Sequence, residues 1–150
     1  MPAPARFLVV EDGREYVERF TRLLGGTFRF ERAGDAAEAI ALASAGDVAG
    51  LLLDLDFRRT PGDRLIDESG QAGLSAADRS RVTGVQGILI ARALRASGVS
   101  AAMLLFADLD DPEQISFLQA DLAPLRVIPS SVGLNEIAAL LARMATVGRL

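Results

Sequence analysis

Short unbroken apolar runs alternate along this chain with stretches whose apolar residues recur at helical spacing. Phe7, Leu8, Val9 and Val10 form the first run, Leu51, Leu52 and Leu53 the core of another, and residues 101–106 a third. Runs of this length read as strands buried on both faces. Two weaker segments join them: residues 27–31, which alternate, and residues 125–128. Between them, Tyr16, Phe20, Leu23 and Leu24 share one helical face, as do Ala37, Ile40, Ala41 and Ala45. Ile88, Leu89, Ala91 and Leu94 mark a helix over residues 82–96. Ile115, Leu118 and Leu122 mark the next, and Ile137, Leu140, Leu141 and Met144 the last.

Polar punctuation fits this division. Asp12 followed by Glu15, and Asp35 followed by Glu38, have the spacing of capped helix starts. Asp111 before Pro112 is another start, and Ser131 is the expected cap of the last helix. Gly25 and Gly26, Gly46 and Gly98 stand where helices should stop. One stretch breaks the rhythm. Residues 57–81 are polar and turn-rich, with a helix start at Ser75 and Asp78. A loop this long in a compact domain is either a functional insertion or a mobile flap.

Five strand–helix units in succession imply an α/β fold with parallel pairing through right-handed crossovers. The expected architecture is a five-stranded parallel sheet of order 2-1-3-4-5 with helices on both faces, the flavodoxin-like arrangement, in a single domain of residues 1–150. Strands one and three are then neighbours. Sites in such sheets form outside the carboxyl ends of the strands, and there the sequence places Glu11 and Asp12 after the first strand and Asp54 and Asp56 after the third.

Composition narrows the chemistry. The 150 residues include no Cys, no His and no Lys, so all sixteen basic residues are Arg. Thiolate zinc sites, cysteine nucleophiles, Ser-His-Asp triads, Schiff bases and a Walker lysine are excluded. A net charge of -4 argues against direct nucleic-acid binding. No apolar run approaches membrane-spanning length, and residues 1–6 lack the pattern of a signal peptide, so a cytoplasmic protein with no membrane contact is expected. Carboxylates crowded at two strand ends repel one another, and Mg2+ is the natural counterion for such a set. With a phosphate donor, Asp54 has the position of a nucleophile that forms an acyl phosphate.

These residues resemble a response-regulator receiver domain (CheY-like) of atypical, degenerate kind. Glu11 and Asp12 resemble that family's acidic pair, Asp54 at the end of its leucine run resembles the phosphoacceptor, and Gly84 to Leu89 resembles the entry to the third helix. The resemblance implies Mg2+ held by Glu11, Asp12, Asp54 and the backbone carbonyl of Asp56. It implies a phosphoryl group on Asp54, a sensor histidine kinase or other signalling protein as partner, and homodimer contacts through the fourth helix, fifth strand and fifth helix. Phe117, Leu118 and Arg143 are the candidates on that face. The departures are as specific. The switch positions are degenerate: Phe106 and Ala107 stand where the family has a hydroxyl residue then Ala, Ile128 stands where it has Lys before Pro129, and Leu125 falls where an aromatic residue is expected. Arg58 and Arg59, or Arg126, are the cations left to meet a phosphate.

The expected function is two-component signal transduction through protein–protein interaction, with Mg2+-dependent phosphorylation of Asp54 but without the usual Thr and Lys switch. Two alternatives stay open. Asp54 and Asp56, two residues apart, also resemble the first motif of haloacid-dehalogenase-like phosphatases. The domain is otherwise a phosphorylation-independent pseudo-receiver, with the insertion as a binding element.

Overall fold

Backbone hydrogen bonding between the apolar runs builds one parallel sheet. The computed structural model of the chain describes residues 3–148 and residue 150. Its strands are β1 (Arg6–Val10), β2 (Arg29–Ala33), β3 (Gly50–Asp54), β4 (Ala102–Phe106) and β5 (Leu125–Ile128). They lie in the expected order β2-β1-β3-β4-β5, and every pairing is parallel. The helices are α1 (Glu15–Leu24), α2 (Ala36–Ser44), α3 (Ala76–Thr83), α4 (Gln86–Ala96), α5 (Pro112–Asp121) and α6 (Leu134–Val147).

Side chains alternate across each strand, so the sheet has two cores. Leu8, Val10, Leu51, Leu53, Met103 and Leu105 meet α2, α4 and α5 on one face. Phe7, Val9, Leu52, Leu104 and Phe106 meet Val17 and Phe20 of α1 and Ile137, Leu140 and Leu141 of α6 on the other. No helix among the described residues is long and apolar enough to cross a membrane.

Four boundaries differ from the sequence expectation, each for a local reason. β2 starts at Arg29 rather than residue 27, because the amides of Thr27 and Phe28 still donate to the Leu24 carbonyl at the end of α1, each at 3.0 Å. α1 starts at Glu15, and the cap comes from Glu11 rather than Asp12. Ser131 does not cap α6, which begins after Gly133 with no side-chain cap. Residues 82–96 are not one helix. Val82 and Thr83 close α3, and the chain turns at Gly84 and Val85 before α4. The start of α4 is pinned to the end of β3, where the Gly87 amide donates to the Leu55 carbonyl at 3.0 Å. A Cβ at Gly87 would stand 2.9 Å from the Leu55 Cα, so only glycine allows that approach.

The insertion is packed onto the sheet rather than loose. Phe57, Leu65, Ile66 and Val82 are buried in the core shared with α2 and α4. The Phe57 amide donates to the Thr83 carbonyl at 3.0 Å, closing the segment on itself. Arg64 Nε donates to Asp35 Oδ2 at 2.6 Å, tying it to the start of α2. Gln86, 1 % exposed, reads the backbone of Ile66 from both sides: its Oε1 accepts from the Ile66 amide at 3.0 Å and its Nε2 donates to the Ile66 carbonyl at 3.1 Å.

Replacing Gln86 with Leu strands two buried backbone groups. Gln86→Leu is expected to lower stability by about 2–4 kcal/mol in urea unfolding, and to expose the arginines of residues 58–81 to trypsin under conditions where the wild type resists. Unchanged stability and cleavage would show that this clasp does not hold the insertion.

Candidate functional site

The register of the sheet brings the acidic strand ends together. Val10 pairs with Leu53, so Glu11 and Asp12 leave β1 beside Asp54 at the end of β3. Asp54 in turn pairs with Phe106 at the end of β4. All three strand ends open on the same edge.

The carboxylates there do different work. Glu11 is buried and points into α1: its Oε2 accepts from the Val17 amide at 2.8 Å and its Oε1 from the Tyr16 amide at 3.1 Å. Two free helix amides are thereby satisfied, and the carboxylate meets the positive end of the helix. Burial pushes the Glu11 pKa up, and those two amides pull against it. Asp12 faces the insertion instead. Its Oδ2 accepts from the Arg59 amide at 2.8 Å, and its Oδ1 lies 3.2 Å from Arg59 Nη2. Arg59 also forks onto Glu15, with Nη2 at 3.0 Å from Oε2 and Nη1 on Oε1. That contact holds the Glu15 carboxyl down at about 2. From the other side, Arg32 donates to the carbonyls of Asp12, at 2.8 Å, and Gly13. The turn between β1 and α1 therefore sits between two guanidinium groups.

Asp54 is half-buried, and among the described residues its carboxylate accepts only from the amide of the next residue, Leu55, to Oδ1 at 2.9 Å. Its pKa is raised to about 6, first by burial, then by the negative charges of Asp12, Glu11 and Asp56. Asp56 is held in its own turn by Arg58, whose amide donates to Oδ1 at 3.1 Å and whose Nε lies 2.8 Å from Oδ2. Of the two candidate phosphate contacts, Arg59 thus reaches the acidic edge, while Arg58 pairs only with Asp56. Arg126 sits within β5 opposite Leu104, away from the strand ends.

The donor set does not fit a divalent cation. Among the described residues, no group of three or more acidic side chains stands ready to hold a metal ion. The Glu11 carboxylate is committed to α1 and that of Asp12 to Arg59. The three expected side-chain ligands, Glu11, Asp12 and Asp54, share a strand edge but do not form such a group.

The degenerate switch positions are filled with apolar contact. Phe106 is 4 % exposed and stacks on Tyr16, with ring centroids 5.0 Å apart and planes at 22°. Ile128 is buried in the α1–α6 core, and its carbonyl accepts from the Ala107 amide at 2.9 Å. Asp108 accepts from the Ser130 amide at 2.9 Å and from its hydroxyl, closing the ends of β4 and β5 on each other. Tyr16, Gly13 and Glu15 were not singled out as site residues by the sequence. Tyr16, the sole tyrosine, at a helical start beside an acidic pair, was the available signal.

No family model matches the chain, and no curated protein is similar enough to match. Solved structures do match it along nearly their whole length. The receiver domain of a Francisella response regulator superposes with a TM-score of 0.66 at 12% identity, covering 94% of this chain and 96% of that one. The Vibrio cholerae chemotaxis protein CheY4 gives 0.64 at 16% identity, covering 95% and 99%. An adenylate cyclase structure from Rhodopirellula baltica gives 0.65 at 14% identity, covering 95% and 88%. The fold of this chain is the receiver-domain fold.

An acid whose pKa is higher folded than unfolded binds its proton more tightly when folded. Between the unfolded value near 3.8 and about 6, the native state of this chain therefore carries the extra proton on Asp54, and stability falls as pH rises through that window. Asp54→Asn removes the burden. The variant is expected to be more stable than wild type at pH 7 by on the order of 1 kcal/mol, the full shift being discounted for solvent screening. The gain should vanish near pH 4, as read from paired urea titrations. A variant less stable than wild type at pH 7 would overturn this account of the edge.

Proposed function

We propose that the chain is a pseudo-receiver: a signalling module of the two-component type that works through protein–protein contact, with a sensor histidine kinase or another signalling protein as partner, and without an acyl-phosphate switch. The observation that carries the reading is Phe106. It occupies the end of β4 directly opposite Asp54, buried and stacked on Tyr16. A small hydroxyl there can move toward a phosphorylated neighbour, whereas a packed aromatic ring cannot without opening the core. Ile128, buried with it, adds no charge to meet a phosphate.

The contact surface proposed for the partner is the face of α5, β5 and α6. Phe117 is 60 % exposed on α5, and Arg143 is exposed on α6. Leu118, the third candidate there, is buried in the core and is not part of that face. The same face is the proposed homodimer contact.

A second reading keeps Asp54 as a Mg2+-dependent phosphoacceptor. It is supported by the half-buried carboxylate at the strand end, which among the described residues has no hydrogen-bond partner beyond its own chain neighbour. The phosphatase alternative has no support beyond the spacing of the two aspartates, and the Asp56 carboxylate pairs with the largely exposed Arg58.

Incubation with acetyl phosphate and Mg2+, followed by intact-mass measurement, separates the readings. The pseudo-receiver should gain no phosphoryl group, and Asp54→Asn should leave its oligomeric state and partner binding unchanged. A phosphoryl adduct on wild type that is absent from Asp54→Ala would establish the second reading, and steady release of phosphate from an aryl phosphate would establish the enzyme.

A further inference from the structure

Arg59 is unlike its neighbour Arg58. Arg58 is largely solvated and bonds only within its own turn. Arg59 crosses from the insertion to the β1–α1 turn and makes contacts to two residues 44 and 47 positions away. Its guanidinium fork takes both oxygens of Glu15, its Nη2 also reaches Asp12, and its own backbone amide takes the other Asp12 oxygen. The Asp12 side chain is left only 3 % exposed, covered by an arginine that is itself 60 % exposed.

The seat for this side chain is built into the turn. Gly13 lies directly beneath the guanidinium, and a Cβ added there would stand 2.8 Å from the Arg59 Cζ and nearer still to its Nη2 and to the Glu15 carboxylate. Gly13 needs no unusual backbone angle, so the missing methyl matters for the room it leaves. Arg32 holds the same turn from the opposite side through its carbonyls. A planar fork suits this arrangement, since it meets one carboxylate with two parallel bonds and still offers a hydrogen to a second.

We infer that Arg59 is the resident cation of this acidic edge, a strap from the insertion that takes the place a divalent metal would need and keeps the metal out. The inference rests on the pseudo-receiver reading only for the identity of the edge as the would-be input site. It accounts for acidic strand ends that lack a metal-ready donor set: one arginine pairs with both Asp12 and Glu15 and offsets one of their two charges. Releasing it uncovers the Asp12 carboxylate, 3 % exposed under Arg59, next to Asp54.

Mg2+ titration by calorimetry, with no phosphodonor present, tests this directly. Wild type should show no saturable binding. Arg59→Ala should bind Mg2+ with an affinity roughly tenfold or more above any residual wild-type binding, and Mg2+ should raise its melting temperature while leaving that of wild type unchanged. Gly13→Ala, which keeps the charge but fills the seat, should move in the same direction by a smaller amount. Adding Asp12→Asn to Arg59→Ala should abolish the gain. The strap is overturned if wild type binds Mg2+ as tightly as Arg59→Ala, or if neither single variant gains affinity. That outcome is independent of the phosphodonor experiment, which concerns wild-type Asp54 alone.

Discussion

Parallel pairing of β1 with β3 forces like charges together, and much of the rest of the structure answers that constraint. The observed register sets Val10 against Leu53, with Leu51 and Leu53 packed into one core and Leu52 into the other. Glu11, Asp12 and Asp54 must therefore share one edge. Repulsion among them is relieved in three different ways. Glu11 turns to the amides of α1, Asp12 is covered by Arg59, and Asp54 holds its proton to higher pH. An amide pair, a guanidinium and a proton stand in for one multivalent ion.

Around that edge, the parts that would have to move are instead wedged. Tyr16, Phe20, Phe30 and Phe106 form a continuous aromatic cluster, with Phe20 within 6.1 Å of both other phenylalanine rings. Ring contacts of this kind add to the burial of each residue. The loops after β4 and β5 are joined by Asp108 and Ser130. The resulting edge is closely packed on the β4 side and charged on the β1 side.

The fold was legible because apolar runs and helical periods do not depend on long-range contacts. β5 and the buried face of α6 follow directly from Leu125 to Ile128 and from Ile137, Leu140, Leu141 and Met144. The candidate site was legible only as a location. Sequence places Asp12 and Glu11 side by side but cannot say which of them bends back to the helix; the longer Glu11 side chain reaches two amides, five and six residues on, and Asp12 is left to face Arg59 of the insertion. Nor does sequence separate Arg58 from Arg59. The two are adjacent and chemically identical, and they part company only because the turn after Asp56 points one toward solvent and the other across to Glu15. The docking of the insertion was hidden for a similar reason: Gln86 reads as a polar helix residue until Ile66 is brought against it.

The insertion also bears on how the chain finds its fold. It lengthens the crossover between β3 and β4, two strands that pair at the centre of the sheet. Closing a longer flexible loop is entropically mild, with a doubling in length costing about 0.6 kcal/mol. Here the added length is not even left flexible, since its ends meet where Phe57 bonds Thr83. In the folded chain the crossover therefore spans less than its residue count: a side loop whose flanks are hydrogen-bonded together, hung on a connection of ordinary span. The chain thus carries a large addition at the middle of its sheet while the strands on either side of it keep their direct pairing.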